Sequence, residues 1–226
     1  MSSVITAGAG GPILVGASHT ASLVVVGSRR AGPIAGLLAG GVVGRLTTHA
    51  VCPVVVVRPA IQPATDQRAV VGLDGTAGSL AALRFGADWA QRHGVRLDAV
   101  CALPYIDPEV LGEDAAADQR QRIEMWLWEL MGEVIRAYPA VDITVILAFG
   151  QSPAQALLRA SDTASIVVVG SRGRGELASL LLGSIGGVLV QRARCPIAVV
   201  PPCDLRVSRP AARQRAAVPL GTTEPN

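Results

Sequence analysis

Apolar residues in this chain come in short blocks, each closed by glycine, proline or a polar cluster. AVVGLD (69–74), RLDAVCAL (96–103), DITVILAF (142–149), SIVVVG (165–170) and PIAVV (196–200) read as buried strands rich in valine and isoleucine. Helical spacing takes over between them. Residues 78–93 place Leu80, Leu83, Ala87 and Ala90 on one face before Gly94 stops the helix. Residues 113–137 carry a stripe of Ile123, Trp126, Leu127, Leu130, Val134 and Ile135, which leaves one of Trp126 and Trp128 facing solvent. A short helix is expected over 152–160, with Pro153 at its start, and another from about Ser184 to Arg192. Strand and helix therefore alternate through 68–202. The expected fold class is α/β: an open, parallel, five-stranded Rossmann-like sheet with helices on both faces, in the common order 3-2-1-4-5. In that order the first and fourth strands are neighbours whose connections leave to opposite sides, and ligands bind in the crevice at their carboxyl ends. Asp74 ends the first of these strands and Gly170 the fourth.

A shift of 143 positions lays residues 24–59 on 167–202 without a gap, and nineteen of the thirty-six pairs are identical. VVVGSR recurs, as do the Cys-Pro pairs at Cys52-Pro53 and Cys195-Pro196, and ASHTAS (17–22) lies over ASDTAS (160–165). A repeat this long marks a duplicated structural unit. The copies are unequal, because the stretch from Arg68 onward that precedes the second has no counterpart before the first. The expected organisation is a back-half unit over 1–60, a linker over 61–67, a complete unit over 68–202 and a disordered tail over 203–226. Two strands and two helices cannot close a core alone. The earlier unit is therefore expected to dock on the later one, with PVVVV (53–57) pairing antiparallel to PIAVV (196–200) and the side of its missing elements left exposed.

Composition removes several function classes. Half of the residues are hydrophobic, and aromatics make up only 3%, so the core must be built from Val, Leu, Ile and Ala. The formal net charge is +3, of which Arg206, Arg209, Arg213 and Arg215, set against Asp204 and Glu224, supply +2. No basic face for nucleic acid is left. The chain has no lysine, which excludes a Walker A phosphate lysine and any Schiff base. Cys52, Cys101, Cys195 and Cys203 show no metal-binding spacing and read as buried thiols of a reducing compartment. Gly8, Gly10, Gly11 and Pro12 interrupt the uncharged start where the apolar helix of an export signal would run, and no apolar run reaches the length of a membrane span. A cytoplasmic protein is expected.

The glycines at the switch point carry the candidate chemistry. A loop that lays backbone N–H groups against phosphate has no room for β-carbons, and Gly170 and Gly173 would bracket such a loop beside Arg172 and Arg174. Gly183 then opens the last helix with Ser184 at its cap, where free N–H groups and the positive dipole end favour an anion. From spacing alone, phosphate binding and ordinary turn chemistry both stay open.

Gly170-x-x-Gly173, nine residues and Gly183-Ser184 together resemble the ATP-binding pattern of the universal stress protein family. AVVGLDGTAGSLAALRFGADWA looks like that family's opening strand and helix, and Cys195-Pro196 before a valine-rich strand looks like its close. The likeness covers 68–202 as a complete domain and roughly 5–59 as the back end of another. The resemblance implies an ATP-binding regulator of stress responses, with Mg and one competent site, that pairs through its fifth strands as a homodimer or an intramolecular pseudo-dimer. It implies adenosine contacts at Gly72, Leu73 and Asp74 and adenine packing on Leu103. Val169, Gly170, Arg172 and Gly173 would lie beneath ribose and phosphates, and Gly183, Ser184 and Ile185 would grip the phosphates. Gly186 stands where a second hydroxyl residue often follows in the family.

In the earlier copy Gly27 is kept, but Arg30 stands for the second glycine and Gly41 for the serine, and no aspartate-bearing strand precedes them. That copy is expected to bind no nucleotide. Two rival functions remain for the chain: a dimerisation module without ligand, and a slow ATPase. A hydrolase triad is excluded, because no histidine follows Ser152, which reads as a helix cap. His19, His49 and His93 are scattered and mark no metal site, GLDGTAG is not a dinucleotide fingerprint, and no general base is evident.

Overall fold

A computed structural model describes residues 5–27, 41–57, 67–105, 109, 112–171 and 184–202. The elements are α1 (Gly10–Ser18), β1 (Val24–Gly27), α2 (Val42–His49), β2 (Val54–Val57), β3 (Arg68–Gly72), α3 (Ala77–His93) and β4 (Arg96–Leu103). They continue with α4 (Glu113–Ala137), β5 (Ile143–Phe149), α5 (Pro153–Ala160), β6 (Ile166–Gly170), α6 (Ser184–Arg192) and β7 (Ile197–Val200). The proposed linker apart from Gln67 and the tail from Cys203 lie outside the described residues.

The strands form one sheet in the order β1-β2-β7-β6-β3-β4-β5. Its last five members reproduce the expected 3-2-1-4-5 arrangement, every pair parallel. The sheet is larger than those five strands because β2 pairs antiparallel with β7, setting Val54 opposite Val199, Val55 opposite Ala198 and Val56 opposite Ile197. Ala198 is the repeat counterpart of Val55, so a local two-fold axis passes through that pair. The fragment's strands thus find a partner edge in the other unit, as their length requires.

Alternation along the strands divides the core into two layers. Val70, Val167, Val169, Ile197 and Val199 face α5 and α6, and the same apolar cluster takes in Val24, Leu46, Val54 and Val56 from the earlier unit. Ala69, Val71, Val168, Ala198 and Val200 face the opposite way, under Ala82, Leu83 and Ala87 of α3 and Leu127 and Met131 of α4. The repeat is obeyed down to single bonds. Ser18 Oγ donates to Val15 O at 2.7 Å and accepts from Val51 N at 3.2 Å. Its counterpart Ser161 donates to Leu158 O at 2.6 Å and accepts from Arg194 N at 3.2 Å.

Among the described residues, nothing comparable to α3 covers one face of β1 and β2. Val25 is 58% exposed, whereas its counterpart Val168 is 0% exposed. Leu23 and Val57 are likewise exposed where Ile166 and Val200 are buried.

Two expectations need correction. Gly10, Gly11 and Pro12 do not prevent a helix but open one, since α1 runs from Gly10 to Ser18. A proline in the first turn lacks only an N–H that would have no helical partner anyway. Trp126 and Trp128 are both exposed, at 41% and 40%, so neither belongs to the apolar stripe. The stripe is centred on Leu127 with Ala116, Met131 and Val134, and each tryptophan sits one step, about 100°, to either side of Leu127. No helix among the described residues is long and apolar enough to cross a membrane.

At the start of the strands Asp98 is 2% exposed and bonded to Arg68 Nη1 at 2.7 Å, with Arg96 Nε at 3.5 Å. Arg68 also donates to Thr163 at 2.9 Å. Asp98→Ala leaves Arg68 short of its carboxylate, and a loss of about 3 kcal/mol is expected in urea unfolding. Cys52, Cys101 and Cys195 are buried and in no disulfide, and burial pushes the Cys195 thiol up to about 12. The nucleophilic thiolate is then absent at pH 8. Iodoacetamide at that pH is expected to label Cys195 only once the chain is unfolded, as read by peptide mass.

Candidate functional site

Three strand ends carry the expected site residues on one rim of the sheet. β3 delivers Gly72, Leu73 and Asp74, β6 delivers Val169 and Gly170, and β4 delivers Leu103. Parallel register sets Val71 beside Val168 and Gly72 beside Val100, and Leu73 N–H extends the ladder to Val100 O at 2.8 Å. Gly150 N–H closes on Leu103 O at 3.0 Å, and Ser171 N–H on Val200 O at 2.8 Å. Asp74 therefore leaves the sheet between β4 and β6, where the connections on either side of β3 diverge.

Close approach, rather than unusual dihedrals, demands glycine at one of these ends, Gly170, and crowds a second, Gly72. A Cβ on Gly170 would lie 2.7 Å from the carbonyl carbon of Gly78 and 2.8 Å from its oxygen. Both are backbone atoms in the first turn of α3, which rests directly on the end of β6. A Cβ on Gly72 would meet Leu157 Cδ1 of α5 at 2.9 Å, the movable tip of a side chain. Gly27, the repeat counterpart of Gly170, has nothing among the described residues within 4 Å of the same position. The two glycines are alike in sequence and unlike in what they make possible.

Asp74 is held by the residues that follow it. Its Oδ1 accepts from Thr76 N–H at 3.0 Å and from Thr76 Oγ1 at 2.6 Å. Thr76 is the N-cap of α3, and its hydroxyl oxygen in turn accepts from Ser79 N–H at 3.3 Å. Gly75, at φ +80°, supplies the left-handed step that folds this turn back on itself. A carboxylate just ahead of a helix N-terminus also faces the favourable end of the dipole. Sequence reading named Asp74 but missed Thr76 and Gly78. The signal was present in DGTAGS, an Asx turn running into a threonine cap.

On the other side of the crevice α6 begins at Ser184, and half-buried Ile185 packs on the same apolar layer as α5. Arg172, Gly173 and Gly183 lie outside the described residues, and so does the side chain of Ser184. Of the expected site residues, the fold gathers Gly72, Leu73, Asp74, Leu103, Val169, Gly170 and the backbone start of α6 at the strand-end rim.

The universal stress protein family model matches residues 5–58 and again 67–201. The chain belongs to that family. Two universal stress proteins of Mycobacterium tuberculosis are 40% and 37% identical to it over 192 residues, covering 83% of this chain and 64% of each relative. Another from Mycolicibacterium smegmatis is 36% identical over 199 residues. The chain thus spans a little under two thirds of the length of these relatives. Among solved structures, a universal stress protein from Archaeoglobus fulgidus superposes with a TM-score of 0.61 at 23% identity, over 85% of this chain and 65% of that one. A second, from Pseudomonas aeruginosa, gives 0.61 at 16% identity. Both share the fold.

Within this family framework the rival enzyme features have structural occupations. Ser152 caps α5 in a reciprocal box, accepting from Gln155 N–H at 3.3 Å while its own N–H donates to Gln155 Oε1 at 3.2 Å. His93 stacks on Trp89 with ring centroids 4.0 Å apart, and His49 bonds back to Arg45 O at 3.1 Å. No three His, Cys, Asp or Glu side chains converge into a metal site among the described residues.

The contrast between the glycines is measurable. Gly170→Ala forces backbone against backbone and is expected to cost about 1–3 kcal/mol in urea unfolding. Gly27→Ala, placed in open space, should stay within about 0.5 kcal/mol of the parent.

Proposed function

We propose that this universal stress protein binds an adenine nucleotide, ATP in the first instance, at the β3–β6 switch point and acts as a nucleotide-dependent regulator in a stress response. The observation that carries the reading is the packing of Gly170 on the backbone of Gly78 beside Asp74. It creates a strand end free of side chains where a doubly wound sheet takes its ligand. The spacing Gly170-x-x-Gly173, nine residues, Gly183-Ser184 supports it, because a glycine loop opposite a helix start is built from amide donors that suit phosphate. In this reading Gly72, Leu73 and Asp74 meet the adenosine and Leu103 packs on the base. Val169, Gly170, Arg172 and Gly173 line ribose and phosphates, and Gly183, Ser184 and Ile185 hold the phosphate tail.

Mg fits such a site as a companion of the nucleotide. The described residues offer no carboxylate cage for it, and Mg is commonly held by phosphate oxygens, waters and one or two protein oxygens. The unit over 68–202 would carry this activity, and the unit over 1–60 would serve as its pseudo-dimer partner. The edge of β7 is already occupied by β2 of the same chain, which favours an intramolecular pair over a homodimer through that edge. Buried cysteines in no disulfide suit a reducing, cytoplasmic setting.

Thermal unfolding with added Mg-ATP tests the reading. A ligand at a hundredfold excess over its Kd stabilises by about 2.7 kcal/mol, so a clear rise in Tm is expected for the parent chain. Asp74→Ala should reduce that rise. Protein that purifies free of nucleotide and gives no rise would favour the ligand-free dimerisation module instead.

A further inference from the structure

We propose that the outer edge of β5 is a self-association seam, where a second copy of this chain pairs antiparallel with Ile143–Phe149 around a two-fold axis at Ile146. Among the described residues no strand pairs with that edge, since β5 ends the sheet beyond β4. The register to β4 runs without a bulge from Leu97 opposite Ile143 to Leu103 opposite Phe149. ITVILAF holds no charged residue, proline or glycine. Exposed edges are normally blunted by short length, charge, proline or a bulge, and β5 uses none of these. The opposite margin of the sheet is blunted, because β1 has only four residues. The edge of β7 is already closed antiparallel by β2.

Two bonds fix which groups of β5 face outward. Leu97 N–H donates to Asp142 O at 2.8 Å, and Gly150 N–H donates to Leu103 O at 3.0 Å. Backbone groups alternate in direction along a strand, so the even positions from 142 to 150 turn theirs to β4. Ile143, Val145, Leu147 and Phe149 therefore turn their N–H and C=O groups outward. An axis at Ile146 sets Ile143 opposite Phe149 of the second copy, and Val145 opposite Leu147 of the second copy. Each such pair exchanges bonds in both directions, so every outward group finds a partner. Moving the axis one residue either way leaves Ile143 or Phe149 without one. Ile146, 36% exposed, meets its own copy in the central pair, where side chains come closest. The ends match in charge as well. The same register brings Asp142 of one copy alongside Gly150 of the other, at the end where Arg120 lies 5.1 Å over the Phe149 ring and Arg159 donates to Gln151 at 3.0 Å. An acidic start meets a basic finish twice across the axis, which favours a second copy over a foreign strand.

Sedimentation equilibrium on the full chain, with residue-resolved hydrogen exchange, tests the seam. The mass should rise from monomer to dimer as concentration increases. Over that rise exchange at the amides of Ile143, Val145, Leu147 and Phe149 should slow by about tenfold or more, while Thr144, Ile146 and Ala148, already turned to β4, should not change. Ile146→Lys and Ile146→Glu should each be monomeric, because like charges then face each other across the axis. Mixed in equal amounts they should regain the dimer, and a folded pair that fails to do so would overturn the axis at Ile146. Val25→Lys, on the exposed face of β1, should leave the dimer as it is. A parent that stays monomeric up to about 1 mM would overturn the proposal and leave the edge to a strand of another protein. So would a dimer whose outward amides still exchange freely, or one that Val25→Lys dissolves, since either result places the contact elsewhere. The exchange measurement on the parent needs no variant, so it decides even where a charge at position 146 disturbs the fold.

Discussion

The antiparallel pairing of Val54–Val56 with Ile197–Val199 is the constraint on which the rest of the molecule depends. Two strands and two short helices bury too little surface to persist alone, and the edge of β7 would otherwise present unpaired amides to solvent. Pairing resolves both problems at once. It also merges the apolar layer under α1 and α2 with that under α5 and α6, so that Leu46 and Val56 belong to the same core as Val167 and Ile197. Apolar residues at every position of β2 and β7 suit this seam, because β7 is buried on both faces and has no polar side to show, whereas β2 is buried on one face.

Against that continuous framework the candidate site is defined by subtraction. The end of β6 has no side chain at Gly170, and the first turn of α3 has none at Gly78, so two backbones approach where a Cβ would not fit. What remains at the rim is a turn of hydrogen-bonded polar groups, Asp74, Thr76 and Ser79, held by one another. Family membership fixes the architecture around this rim. The local bonds tie Asp74 Oδ1 to the cap of α3.

Most of the architecture was legible in the sequence, because strand-length valine blocks and helix-length stripes alternate without conflict. The strand order followed from that alternation, and β4 and α4 have the bounds that the pattern implied. The failures have physical causes. Gly10, Gly11 and Pro12 were read as interrupting an apolar helix, yet in a first turn they remove nothing that the helix needs. Trp126 was placed in the stripe of α4 by its hydrophobicity, whereas Leu127, Met131 and Val134 supply the residues that α4 buries in the layer shared with α3. Asp74 was legible as a strand-ending carboxylate. Thr76 was not, because its importance lies in a bond to a side chain two residues away rather than in a pattern along the chain.

The direction of the seam has a consequence for the two halves of the repeat. Strands that run opposite ways end on opposite margins, so Gly27 of β1 and Gly170 of β6 look out from different sides of the same slab. No single small molecule can bridge them. Any influence of one margin on the other would have to travel lengthwise through β2 and β7, roughly 13 Å of stiff valine backbone at about 3.3 Å per residue.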